Sequence, residues 1–317
     1  MDTTKGKLAL LVGLLVLVGA VFGVAAKLST SPTVNPTLPP VSTEASAPPV
    51  QTDSPTPPPI TTPTPSIPPY ATAVAGVNDV TPKPLSADAP GPRPTPNASD
   101  YKGRTPGATD QSAGAVPHSA PAADGYFSDA LFIGDSGVLG IFQYGYLPQA
   151  QYCAQTGIGV YTLNTADFEA RGGTTLPFDQ ALRYNGNCTK IYIQLGMNDM
   201  GDTNAAFAAQ YALMIARVRA IFPTQPIYVM ALMPVSQEVN DTTTGANRAF
   251  TNAAINGYNQ ALLDLCLQTP GLHYLAVDEP FRDAQGNLQA GIFAGDGKHI
   301  RQVYYQWWID YLYSHIQ

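Results

Sequence analysis

The chain has 317 residues and a formal net charge of −7. No cluster of lysine and arginine interrupts that acidity, so the electrostatic footprint of a nucleic-acid binder is missing. Three cysteines, Cys153, Cys188 and Cys266, are too few for a disulfide scaffold and too scattered for a zinc site. Three buried thiols are expected, with a single Cys153–Cys188 bridge as the alternative outside the cell.

The first segment, 1–27, contains an uncharged and mostly apolar run from Leu8 to Ala26, close to the roughly 20 residues that a helix needs to cross a bilayer. Lys5 and Lys7 precede it, and positive flanks stay on the cytoplasmic side, which sends the rest of the chain outward. A membrane anchor is therefore expected. A cleaved signal peptide is the competing reading, because Val24-Ala25-Ala26 resembles a small-residue cleavage site, although the run exceeds the usual apolar length of such a signal.

Of 30 prolines, 23 lie before residue 125. Residues 28–124 are rich in Pro, Thr and Ser, with no sustained apolar period, so composition assigns them to a disordered linker or tether that cannot build a core. Residues 125–317 carry both tryptophans and the apolar runs, which is enough chain for one buried core.

Within that part, Ala130-Leu-Phe-Ile133 reads as a strand that ends at Gly134-Asp135-Ser136-Gly137, after which a helix can begin. Lys190 to Leu195 is a second strand, stopped by Gly196, and Pro226 to Leu232 a third, stopped by Met233-Pro234. Between them, apolar residues at Phe207, Tyr211, Met214, Ile215, Val218 and Phe222 step by three and four, which predicts a helix from Asn204 to Phe222, ended by Pro223. A further helix is expected from about Asn247 to Leu267, then a strand from Leu272 to Val277, and a closing helix from about Arg301 to His315. Strands alternating with helices at these lengths imply a three-layer α/β/α, doubly wound parallel sheet. Ligands of such sheets bind beyond the carboxyl ends of the strands, which is where Ser136 and Asn198 fall.

A serine hydroxyl needs an adjacent base to act as a nucleophile, and the chain has four histidines. His118 lies in the linker, His273 in an apolar strand and His315 at the terminus. His299 remains, in the Gly- and Asp-rich loop Ala294-Gly-Asp-Gly-Lys-His299, where Asp296 can fold back onto its imidazole. Ser136, at a helix start, has its own N–H and the helix dipole available to a developing oxyanion. The G-x-S-x-G elbow of α/β-hydrolases is excluded, because Val138 stands at the second glycine position. Asp135 is expected to be structural.

The order Gly134-Asp135-Ser136, Gly196-Met197-Asn198-Asp199 and Asp296-Gly297-Lys298-His299 resembles the first, third and fifth blocks of the SGNH (GDSL-like) hydrolase family, over about Ala130 to His315. The resemblance implies a flavodoxin-like SGNH hydrolase fold for 125–317. It makes Ser136 the nucleophile, with Asp296 and His299 completing the triad. Ser136, Asn198 and a second-block glycine would form the oxyanion hole. Gly159, in Gly157-Ile158-Gly159, is the chosen glycine over Gly172-Gly173, because Arg171 to Thr175 also reads as a hairpin turn. Gly137 stands where the family often has leucine, which weakens any inference to large acyl pockets. The expected activity is hydrolysis of short-chain acyl esters such as O-acetyl groups on a cell-wall or surface glycan, without metal or cofactor. Acyl transfer by the same triad and a noncatalytic glycan-binding module are the alternatives.

Overall fold

A computed structural model describes residues 79–86, 97–242 and 250–317. The apolar run Leu8–Ala26 lies outside the described residues, and among those described no helix is long and apolar enough to cross a membrane. Seven strands form one sheet: β1 (Ala130–Gly134), β2 (Gln151–Ala154), β3 (Asp167–Ala170), β4 (Thr174–Pro177), β5 (Lys190–Gln194), β6 (Ile227–Met230) and β7 (Leu272–Leu275). Their order is β4-β3-β2-β1-β5-β6-β7. The strands β2, β1, β5, β6 and β7 are mutually parallel, while β3 and β4 form an antiparallel hairpin beyond β2. Every residue of β1, β2 and β6 is buried, as expected of strands covered on both faces.

The helices are α1 (Ser136–Gln143), α2 (Phe178–Tyr184), α3 (Asn204–Ile221), α4 (Gln237–Thr242), α5 (Asn252–Gln268) and α6 (Tyr305–Ser314). From β1 the chain crosses through α1 to β2 on one side. It later leaves β5 through α3 to β6, and β6 through α5 to β7, in the opposite direction. Right-handed crossovers then place α1 on one face and α3 with α5 on the other. The carboxyl ends of β1 and β5, where the winding reverses, are the switch point of the sheet.

Aromatic rings register the parallel strands. Phe132, Tyr192, Tyr228 and His273 occupy matching positions on β1, β5, β6 and β7. Phe132 stacks on Tyr192 at 4.8 Å and Tyr192 on Tyr228 at 4.7 Å, both nearly parallel. On the outer helices, Arg217 of α3 forms a two-point pair with the buried Asp179 of α2, at 3.0 and 2.7 Å. All three cysteines are free and buried. Burial pushes Cys188 and Cys266 up to about 12 and raises Cys153 well above its ordinary value, so none is a ready thiolate.

Three boundaries differ from the sequence reading by more than about two residues. The helix expected from Asn247 starts at Asn252, because the Thr251 hydroxyl caps it by accepting from the Ala254 N–H at 3.1 Å. The closing helix begins at Tyr305 after a 3-10 turn over Gln302–Tyr304. The third difference is the largest. Residues 97–124, assigned by composition to the linker, are held on the folded body: the N–H groups of Gly107, Val116, Ser119 and Ala122 donate to the carbonyls of Pro280, Tyr274, Ser314 and Tyr313. Val116 and Ala122 are buried. Single backbone hydrogen bonds and isolated apolar anchors leave no period in a sequence, which is why this stretch reads as tether.

Candidate active site

The site is built where β1 and β5 end. At Gly134 a Cβ would lie 2.2 Å from Val138 Cγ2, so only glycine lets the chain turn directly from β1 into α1. The Asp135 carboxylate caps that helix by accepting from the Gly137 N–H at 3.0 Å. Ser136 is thereby the first residue of α1, and its N–H belongs to the first turn, which has no partner within the helix. Beyond β5, a 3-10 turn over Met197–Asp199 presents Asn198. The Asn198 amide donates to the Ile158 carbonyl at 2.8 Å and, more weakly, to Asp135 at 3.2 Å.

The histidine comes from the loop before α6. Gly297 has φ +68°, a left-handed conformation that glycine adopts without strain, and a Cβ there would meet Ser236 Oγ at 2.4 Å. This tight turn lets Asp296 Oδ1 accept from the N–H groups of Lys298 and His299, at 3.1 Å each. Asp296 Oδ2 faces His299 Nδ1 at 2.5 Å, and His299 Nε2 lies 2.9 Å from Ser136 Oγ. A carboxylate has only lone pairs to offer, so Nδ1 carries the proton and Nε2 is left to accept from the serine hydroxyl. Burial raises the Asp296 carboxyl, but the hydrogen bonds from the His299 ring and the two N–H groups outweigh it and hold the group below its ordinary range. It stays ionised.

Asp135 behaves differently. Burial dominates and lifts it to about 6, against the opposing pull of the Gly137 N–H. In the fold it therefore keeps its proton up to about pH 6, and in an unfolded chain only up to its ordinary value of 3.8. Between those values the folded state binds more protons, so rising pH costs it stability. Relative to Asp135→Asn, the wild type is expected to lose roughly 2 kcal/mol of unfolding free energy between pH 4 and pH 7. Urea midpoints at several pH values measure this, and parallel profiles for the two proteins would show that Asp135 is ionised throughout.

Ser136, Asn198, Asp296 and His299 thus line one pocket of about 290 Å³. Sequence reasoning missed its walls. Met197, Met233, Phe250, Tyr305 and Trp308 come from segments far apart in the chain, and no local pattern marks their facing. Trp308 and Tyr305 reach the pocket because α6 packs on α1, with the Tyr305 hydroxyl in the space that a Cβ on Gly140 would need. A Cβ on Gly137 would lie 3.1 Å from Gln194 Oε1 and 3.7 Å from Trp308 Cη2, so these two side chains stand where a larger residue after the serine would project. A larger cavity of about 630 Å³, between residues 107–112 and 278–286, holds no histidine beside its serine. Volume alone does not mark the chemistry.

Gly159 holds contacts that the sequence did not suggest. It does not line the pocket, and its N–H donates to Thr162 Oγ1 at 3.0 Å. Its missing Cβ instead makes room for the Asp199 carboxylate, which would be 2.0 Å away and which accepts from the Val160 N–H at 2.7 Å. Gly172 and Gly173 form the β3–β4 turn and do not line the pocket either. Gly159→Ala is expected to cost roughly 1–3 kcal/mol of stability by overpacking. Urea denaturation reads the loss; an unchanged midpoint with a large fall in kcat would restore the oxyanion role.

The sequence pattern of the GDSL-like lipase/acylhydrolase family matches residues 132–306, more than half of the chain. The chain belongs to that family. This GDSL-like acylhydrolase is an esterase by membership, with a mostly parallel seven-stranded sheet and flanking helices. No curated protein matches it. Among solved structures it is similar to a Streptococcus pneumonia protein named for platelet activating factor, at 22% identity and TM-score 0.48 over 58% of this chain and 81% of the other. A carbohydrate esterase family 3 member from Talaromyces cellulolyticus gives 15% and 0.39 over 58% and 93%. A GDSL-like lipase from Bacteroides thetaiotaomicron gives 14% and 0.39 over 57% and 83%.

Proposed function

We propose that this acylhydrolase cleaves short-chain acyl esters, O-acetyl groups foremost, with Ser136 as nucleophile, His299 as base and Asp296 as the group that orients and stabilises the imidazole. The continuous hydrogen-bonded chain from Asp296 through His299 to Ser136, opening on a small pocket, carries this reading. His299 Nε2 takes the hydroxyl proton as Ser136 Oγ attacks the acyl carbon. The oxyanion is met by the Ser136 N–H at the positive end of α1 and by the Asn198 amide. The proton passes to the departing alkoxide, and water, activated by the same histidine, releases the acyl group from the serine.

Pocket size supports a short acyl chain, since about 290 Å³ walled by Trp308, Tyr305 and two methionines leaves little room for a long one. Solvent access supports hydrolysis over transfer: the side chains of His299 and Asp296 are 53% and 44% exposed, so water reaches the base freely. The apolar run Leu8–Ala26, preceded by Lys5 and Lys7 and followed by a Pro-rich stretch, supports placement of the domain outside the cytoplasm, either anchored or released after cleavage. A surface or wall glycan ester is the substrate that such placement offers. The test is a series of 4-nitrophenyl esters from acetyl to palmitoyl, with O-acetylated glycans alongside. Activity should be highest at acetyl to butyryl; a maximum at long chains would overturn the short-acyl reading.

A further inference from the structure

Among the described residues, Lys298 is the one lysine or arginine that lines the pocket. Its Nζ lies 3.6 Å from the centroid of the Phe250 ring, and none of the ion pairs among the described residues includes it. In a chain of net charge −7, a partly buried ammonium without a carboxylate partner beside a catalytic histidine calls for an anion. The two carboxylates of the pocket are already engaged. Asp296 accepts from the His299 ring and two N–H groups, and Asp135 accepts from the Gly137 N–H and the Asn198 amide.

The position of Lys298 decides which half of the substrate it meets. In the reaction proposed above, His299 returns its proton to the departing alkoxide, so the alcohol half of the ester leaves beside His299. Lys298 is the chain neighbour of His299, while the apolar walls from α6 stand next to Ser136 and Gly137. Among the described residues that line the pocket, a single ammonium without an arginine fork matches one negative charge rather than a dianion. We propose that Lys298 recognises a carboxylate on the alcohol half of the substrate, so that the preferred esters are acyl groups carried on an acidic alcohol such as an acid sugar. Until substrate arrives, the Phe250 face holds the ammonium in place without neutralising it.

This inference rests on the triad reading, and a matched pair of probes separates the two. The full chain is assayed with 4-acetoxybenzoate, whose leaving alcohol carries a carboxylate, and with its neutral methyl ester. The readout is the ratio of kcat/KM for the charged over the neutral probe. Lys298→Gln is expected to lower that ratio about tenfold, as for loss of a charge-assisted contact. Lys298→Arg should keep most of it and Lys298→Glu should lower it at least as far. In the wild type the ratio should shrink as sodium chloride is raised, which needs no variant to fold. A ratio unchanged in Lys298→Gln, or insensitive to salt in the wild type, overturns the role of Lys298. Hydrolysis of both probes by Ser136→Ala at the wild-type rate would instead overturn the triad reading itself.

Discussion

Ser136→Ala is expected to lower kcat/KM for a short-chain ester by at least about 10⁴-fold while leaving the fold unchanged. The hydroxyl makes one bond in the described structure, to His299 Nε2, so its removal leaves no buried group without a partner. The cap that sets the start of α1 belongs to Asp135 and survives. A residual rate above water is also expected, because the alanine N–H still heads α1 and Asn198 still borders the pocket. His299→Ala should fall about as far, and the double variant hardly further, since the two groups act as one unit. Initial rates with 4-nitrophenyl acetate and a thermal melt check both statements; a Ser136→Ala protein that keeps more than a tenth of its activity, about 1.4 kcal/mol in barrier terms, rules out the assigned nucleophile.

Asn198→Ala should reduce kcat by roughly 10²- to 10³-fold with little change in KM, the signature of a donor needed only when charge develops on the carbonyl oxygen. The geometry explains how the amide can serve. Its two hydrogens are shared between the Ile158 carbonyl at 2.8 Å and Asp135 at 3.2 Å. The shorter bond fixes the side chain, and the longer one is the donor that an oxyanion can draw away. Asp135 keeps the Gly137 N–H as a donor when the amide turns away. Steady-state kinetics with a parallel urea titration distinguish this from simple unfolding. A fall in kcat smaller than about fivefold, with the midpoint kept, would remove Asn198 from the oxyanion hole.

The parallel sheet was legible in the chain because its strands are nearly continuous apolar runs punctuated by Gly134, Gly196 and Pro234, and α3 because its apolar steps follow one helical face. The same local signals placed Ser136 and Asn198 at strand ends and His299 three residues after Asp296, so the groups that meet at the pocket could be named before their distances were known. These are features of short range: an end of a strand, a cap or a loop spacing is written in adjacent residues.

What depends on contact between distant segments was not written there. Gly159 looked like a donor to the oxyanion, yet the fold uses its missing side chain to seat Asp199, 40 residues on, and spends its N–H on Thr162. The stretch 97–124 looked like tether, yet single backbone bonds to Tyr274, Pro280 and the end of α6 hold it to the body. The pocket walls likewise follow from α6 packing on α1, which brings Trp308 to the side of Gly137. Sequence by itself determined the fold class and the family, because those rest on period, punctuation and side-chain chemistry. Tertiary structure alone decided what the missing side chain of Gly159 makes room for, that 97–124 is held on the body and how wide the pocket is, because each depends on what a distant segment places within a few ångströms.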